Sequence, residues 1–295
     1  MRPAHMRLII VSGLSGSGKS VALNMLEDLG YYCIDNIPVA LLRTLVEQII
    51  VTRDPAYELT AVGIDARNRQ ADITGLPELV QELRRREVAC EVVFLHADDD
   101  VLLKRFGETH RKHPLLVSGS SLREAIQRES ALLSPVINIA DLTLDTTRTS
   151  VYELREAIRR RVADRELDQL SLMVESFGYK HGLPSDADFV FDVRCLPNPY
   201  WEPLLRGLDG RDAPVAEFLD SQPITQTLVD DIVAFLGRWI PRYEDVKRTY
   251  LTIAIGCTGG QHRSVYVAER VARALAARYA HIITRHNELS GQPDA

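Results

Sequence analysis

Eight consecutive residues near the N-terminus, Gly13-Leu14-Ser15-Gly16-Ser17-Gly18-Lys19-Ser20, satisfy G-x-x-x-x-G-K-[ST] at every fixed position. An apolar run, Leu8 to Ser12, precedes them and a helical pattern follows, the strand–loop–helix setting in which such a loop works. Its glycines let backbone N–H groups converge on phosphate oxygens, Lys19 can reach the β and γ phosphates, and the Ser20 hydroxyl can ligate Mg²⁺. Lys19 and Ser20 are therefore the candidate catalytic residues, and Ser20 the candidate metal ligand. The loop fixes a phosphate-binding chemistry but not a reaction, because kinases, hydrolases and nucleotide-gated binders all use it.

A partner carboxylate is expected at the end of an apolar strand. Val92-Val93-Phe94-Leu95-His96-Ala97-Asp98 supplies such a strand, but His96 stands where the first carboxylate could be, which leaves Asp98 and Asp35 as alternatives. Arg105, Arg111, Lys112 and His113 form a basic stretch that could fold over the phosphates as a lid. Asp65-Ala66-Arg67-Asn68 follows the strand-like run Leu59 to Ile64, at the carboxyl edge where open α/β sheets bind ligands.

A second constellation lies near the C-terminus. Thr252 to Ser264 again reads as strand, Gly-rich turn and helix, so the N–H groups at Thr258, Gly259 and Gly260 could meet a phosphate, with Arg263 available for a bidentate contact. His181, Asp192 and Arg194 lie at the ends of neighbouring strand-like segments and could complete a site for a charged, hydroxylated ligand. Cys257 and Arg263 also match the Cys-x5-Arg spacing of cysteine phosphatases. Gly256 replaces the usual preceding histidine and no dedicated acid is identifiable, so phosphate binding ranks above phosphate cleavage.

The elements that must position these residues follow from the hydrophobic pattern. Strands are expected at Leu8–Ser12, Tyr31–Ile34, Leu59–Ile64, Glu91–Leu95 and Leu142–Leu144, alternating with helices near Val21–Leu29, Val39–Val51, Pro77–Glu87, Asp99–Gly107 and Leu122–Leu133. That alternation implies a P-loop NTPase-like parallel sheet with helical crossovers. A long charged helix from Val151 through Arg165 closes this first domain. Further strands at Leu170–Ser176, Phe189–Val193 and Tyr250–Ile255, with a helix near Ile224–Trp239, imply a second, smaller α/β domain. The expected division is a nucleotide-binding domain over 1–152 and a ligand-sensing, RNA-binding domain over 153–295.

Composition sets the outer bounds. The 295 residues are 45% hydrophobic and 26% charged, as in folded globular proteins, which excludes disordered and fibrous classes. No apolar run approaches the roughly 20 residues that span a bilayer, and the residues after Met1 lack a secretory pattern, so a cytoplasmic protein is expected. The four cysteines are scattered, without metal-type spacing. A net charge of −6 argues against coating nucleic acid by bulk charge, yet residues 247–295 carry 7 basic and 3 acidic residues. Arg270, Arg273 and Arg278 in this stretch are the candidate RNA contacts.

With these motifs in place, the chain resembles the RapZ/YvcJ family of bacterial nucleotide-binding proteins from about Met6 to His286. The resemblance is carried by Val11 to Leu23, by Tyr32-Cys33-Ile34-Asp35-Asn36-Ile37-Pro38, by Glu175 to Gly182, by Phe191 to Pro199 and by Ala254 to Tyr266. It implies a P-loop domain that binds ATP and GTP with weak ATPase and GTPase activity, and a C-terminal domain resembling a phosphofructokinase subdomain. In the enterobacterial type it further implies binding of small regulatory RNA, sensing of glucosamine-6-phosphate, action as an RNase adapter controlling amino-sugar synthesis, and assembly as a homo-oligomer. By matching position, Gly13 to Ser20 would be the ATP loop and Asp65, Ala66, Arg67 and Asn68 the GTP segment. His181, Asp192, Arg194, Thr258, Gly259, His262 and Arg263 would form the phosphosugar site. Two departures stand out: His96 replaces an acidic residue common in the family, and no Lys or Arg follows Arg285, where the enterobacterial RNA binders end in a basic cluster.

Overall fold

The computed structural model describes residues 6–109, 112–163, 170–246 and 248–289. The chain divides between Leu167 and Asp168 into two compact units, each built on its own parallel sheet.

In the first unit, β1 (Arg7–Gly13), β2 (Tyr32–Ile34), β3 (Leu59–Ile64), β4 (Ala89–His96) and β5 (Leu142–Asp145) pair in parallel in the order β2-β3-β1-β4-β5. The central strand β1 is buried along its whole length, as its unbroken apolar run requires in a sheet covered on both faces. Helices α1 (Lys19–Asp28), α2 (Val39–Thr52), α3 (Gln70–Arg85), α4 (Asp99–Thr109) and α5 (Leu122–Ile137) make the crossovers, and α6 (Val151–Ile158) follows the last strand. Capping boxes start two of them, Ser121 with Glu124 on α5 and Ser150 with Glu153 on α6. The helix expected from Pro77 begins earlier, at Gln70, and carries Pro77 inside it.

The expected boundary at 152/153 is corrected by the packing of α6. This helix lies against α1, and a Cβ at Gly18 of the P-loop would come within 2.6 Å of Leu154 Cδ2, so α6 belongs to the first unit. The long helix expected to run to Arg165 ends as α-helix at Ile158 and continues as a π-helical turn, Arg159–Ala163; Arg165 lies outside the described residues. Buried Arg7 on β1 ties this exit down, donating to the Val162 carbonyl and facing Glu91 at 3.4 Å.

In the second unit, β6 (Ser171–Gly178), β7 (Phe189–Asp192), β8 (Tyr250–Cys257) and β9 (Ile282–His286) are parallel in the order β7-β8-β6-β9. Helices α7 (Ala213–Asp220), α8 (Pro223–Asp245) and α9 (Arg263–Ala276) accompany them, around a core that includes Leu172, Val174, Ile253, Ile255, Val267 and Val271. The sequence reading did not anticipate α7 or β9. No helix among the described residues is long and apolar enough to cross a membrane.

Candidate functional site

The P-loop leaves the carboxyl end of β1, between β3 and β4, and the fold uses up nearly every carbonyl it exposes. Lys19 Nζ donates to the carbonyls of Gly13 at 2.7 Å and Leu14 at 3.2 Å. Arg105 donates to the Gly16 carbonyl at 3.0 Å, and the Thr146 hydroxyl to that of Ser17 at 2.9 Å. Arg105 in turn grips the Thr146 carbonyl at 2.6 Å. Gly13 is at φ +148°, and a Cβ there would fall 2.1 Å from the Leu95 carbonyl oxygen, so only glycine permits the loop to start against β4. With its carbonyls tied back, the loop keeps the N–H groups of Gly16 and Gly18 without acceptors among the described residues. The first-turn amides of α1 join them, as helix geometry requires. These donors are what a polyphosphate needs.

Behind the loop sits a buried carboxylate that sequence reasoning missed. Glu129 on α5 is 0% exposed and accepts from the Ser15 N–H at 2.8 Å and the Ser15 hydroxyl at 2.7 Å. His113, also buried, brings its Nε2 to 3.1 Å from Oε2, the oxygen that accepts the Ser15 N–H. Burial opposes charge on Glu129, but the hydrogen bonds from His113 and Ser15 and the Lys19 ammonium outweigh it and hold the carboxyl below its ordinary value. Burial in turn pulls the Lys19 ammonium below its ordinary value, against the charges of Glu129, Asp65 and Asp35. The basic stretch expected to act as a lid is thus divided. Arg105 braces the loop, His113 is buried behind it, and Arg111 lies outside the described residues.

The carboxylates resolve by position. Asp98, past β4, is exposed, and its own N–H bonds to Thr147 Oγ1 at 2.9 Å. Asp65 and Asp35, at the ends of β3 and β2, are the ones whose charge reaches Lys19. Asp65 is occupied: Arg67 Nε reaches its two oxygens at 3.1 and 2.9 Å, Arg67 NH2 reaches Oδ2 at 2.5 Å, and the Arg67 N–H donates at 2.9 Å. These contacts outweigh burial and lower the Asp65 pKa.

Asn68 is occupied as well, by the chain before α2. Pro38 at the helix N-cap offers no side-chain acceptor, so the Val39 N–H goes to Asn68 Oδ1 at 2.7 Å while Asn68 Nδ2 reaches the Ile37 carbonyl at 3.3 Å. Replacing Asn68 with Ala removes a cap made from a distance. It is expected to cost about 1–2 kcal/mol, read by urea denaturation of the full chain.

In the second unit the Gly-rich turn follows β8. Gly178 leaves room for it, since a Cβ there would lie 2.8 Å from the Gly259 backbone, while Gly256 leaves room for the Phe177 ring, which a Cβ would approach to 2.4 Å. Cys257 is buried, its sulfur taking the Gly260 N–H at 3.2 Å and facing Ser264 Oγ at 3.1 Å. Arg263, 5% exposed, donates to the carbonyls of Arg194 at 2.8 Å and Leu196 at 3.0 Å, with Thr258 Oγ1 at 3.4 Å. It therefore clamps the 194–196 loop onto α9, as phosphatase chemistry at Cys257 would not require, and its buried Nε has no partner among the described residues. His262 is buried and faces the Leu205 carbonyl at 3.1 Å. Thr258 and His181 are exposed and Gly259 half-buried.

Asp192 holds Arg194 through both oxygens at 3.0, 3.0 and 2.6 Å, and these bonds lower the Asp192 pKa. The Arg194 guanidinium lies 4.0 Å from the Tyr179 ring centre. The same Asp-x-Arg arrangement recurs at Asp209 and Arg211. Of the candidate RNA contacts, Arg270 on α9 is paired with Gln226 at 2.9 Å and Asp220 at 3.5 Å, while Arg273 and Arg278 are exposed.

Comparison with known proteins fits this two-unit arrangement. Residues 6–166 match the RapZ-like N-terminal domain and residues 170–290 the RapZ C-terminal domain. The chain is 54% identical to a nucleotide-binding protein of Thioalkalivibrio sulfidiphilus, covering 97% of this chain and 100% of that protein. It is 52% identical to a nucleotide-binding protein of Pseudomonas fluorescens, with coverage of 97% and 100%. Among solved structures, shikimate kinase from Bacteroides thetaiotaomicron aligns with a TM-score of 0.34 and 17% identity, over 52% of this chain and 95% of that one.

Proposed function

The chain belongs to the RapZ family, and from that premise we propose that it is a regulatory nucleotide-binding protein that takes ATP and GTP at its P-loop and hydrolyses them slowly. The observation that carries the reading is the loop itself, with its carbonyls bound inward, amides at Gly16 and Gly18 that find no acceptor among the described residues, and Lys19 at its end. Ser20, exposed in the first turn of α1, would hold Mg²⁺. A single hydroxyl suits an ion that draws most of its ligands from phosphates and water, and Mg²⁺ would supply charge neutralisation at the phosphates. Direct titration of the full chain with fluorescent ATP and GTP analogues, beside Lys19→Ala, tests the reading; equal binding by both proteins would overturn it.

For the second unit we propose a phosphosugar-sensing role for the turn after β8, with Arg194 and the buried Nε of Arg263 as anion contacts. Arg194 is the residue to test, because truncating Arg263 would also release the 194–196 loop. The full chain is expected to melt several degrees higher in saturating glucosamine-6-phosphate, about 2.7 kcal/mol of stabilisation at a hundred times the dissociation constant. Arg194→Ala should lose most of that rise. An RNA-adapter role would draw on Arg273 and Arg278, and its affinity would fall steeply with salt.

A further inference from the structure

The loop that carries Asp35 is built with more care than a connection between β2 and α2 requires. Asn36 adopts a left-handed conformation, φ +54°, rare outside glycine and often found at functional sites. The Ile37 N–H then bonds the Gly63 carbonyl at 3.0 Å, and Asn68 grips both the Ile37 carbonyl and the Val39 N–H. The result folds Asp35 back over the sheet edge. A Cβ on Gly63 would lie 2.8 Å from Asp35 Oδ1 and 3.2 Å from the Asn36 nitrogen, so β3 carries glycine where the carboxylate rests. Asp35 is exposed, and among the described residues it has neither hydrogen bond nor ion pair.

Its surroundings are set by register. Ile34 pairs with Val62, Gly63 with Val11 and Ile64 with Ser12, so Asp35, the Asp65–Arg67 pair and the start of the P-loop stand side by side along one edge of the sheet. The Asp35 backbone follows β2, two strand spacings from the P-loop strand, but its carboxylate rests over Gly63 on β3, one spacing or about 5 Å away, within reach of a small molecule beside a phosphate on Lys19. Asp65 cannot act as a base there, because Arg67 occupies its oxygens. Arg67 is held through Nε and NH2, and among the described residues its NH1 makes no hydrogen bond, with its side chain 52% exposed.

Resting on nucleotide binding at the P-loop, we propose that Asp35 and Arg67 form the acceptor side of a phosphoryl-transfer site, which takes a small hydroxylated anion in addition to water. The acceptor oxygen attacks the γ phosphorus, its proton passes to the Asp35 carboxylate, and the bond from γ phosphorus to the bridging oxygen breaks. The electron pair leaves with the nucleoside diphosphate. With water the product is orthophosphate, and with a hydroxylated anion it is the phosphate ester, the anion's carboxylate meeting Arg67 NH1.

The test uses the full chain, Mg²⁺ and labelled ATP, with D-gluconate as the hydroxylated anion. Asp35→Asn is expected to lower the ATP turnover rate by about a hundredfold, with the dissociation constant of a fluorescent ATP analogue changed less than threefold. In the wild type, gluconate should raise diphosphate release severalfold and become phosphorylated; Arg67→Met should lose that stimulation, read as the ratio of its rates with and without gluconate. Unchanged turnover in Asp35→Asn overturns the base, and unstimulated turnover with gluconate overturns the anionic acceptor. Absence of ATP binding in the wild type would instead sink the nucleotide reading on which both rest.

Discussion

Lys19→Ala is expected to weaken ATP binding by roughly a hundredfold or more. Two charge-assisted hydrogen bonds to phosphate oxygens, at about 1.5–3 kcal/mol each, account for a loss of that size, since every 1.4 kcal/mol is tenfold in affinity. Lys19 is held in place before ligand arrives by the Gly13 and Leu14 carbonyls, so the wild type has little side-chain ordering left to do. Thermal or chemical denaturation gives a second readout. ATP at a hundred times the wild-type dissociation constant should stabilise the wild type by about 2.7 kcal/mol and the variant by about 0.4 kcal/mol or less. The fold should survive, because the groups Lys19 leaves behind are two carbonyls beside solvent-accessible loop residues.

Glu129→Leu is expected to be far more damaging to stability. It removes a 0% exposed carboxylate and strands the Ser15 N–H, the Ser15 hydroxyl and His113, and breaking a buried charged network from one side costs about 3–5 kcal/mol. Glu129→Gln, which keeps the shape and one acceptor, should cost about 1–3 kcal/mol. Urea denaturation of both variants separates the two values. The pH dependence follows from the direction of the shift. Because the folded carboxyl is held below its ordinary 4.5, its stabilisation is fully present above that pH and is lost as pH falls through the lower, folded value. The wild type should therefore lose more stability than Glu129→Gln on acidification below about pH 4.5. Equal slopes would show that this carboxylate does not contribute.

The strand edges of the first unit and the P-loop were legible because their signals are local: continuous apolar runs and a motif of fixed spacing. Glu129 was not, since it lies 114 residues from Ser15 in a helix whose pattern is that of any amphipathic segment. His113 read as part of a basic lid because sequence shows its charge and not its burial. β9 escaped notice because Thr284, Arg285 and His286 make three of its five residues polar, and only its place beside β6 makes it a strand. The boundary between the units fell at 167/168 because α6, part of the charged helix expected to close the first domain, turns an apolar face with Leu154 and Ile158 inward. Asp65 and Asn68 lay on the expected edge, but only coordinates reveal that one holds Arg67 and the other the chain before α2.

The Asp-x-Arg pairs at 65/67, 192/194 and 209/211 have a kinetic consequence. Each guanidinium is matched by its own carboxylate, so at a distance the pair presents almost no net charge to an approaching anion. Encounter is then governed by diffusion and fit and not by long-range attraction, and association rates should change little with ionic strength. What each pair contributes appears after contact, when an arginine already fixed in orientation has little rotamer freedom left to lose. Selectivity of this kind would be expressed in how slowly a well-shaped anion departs.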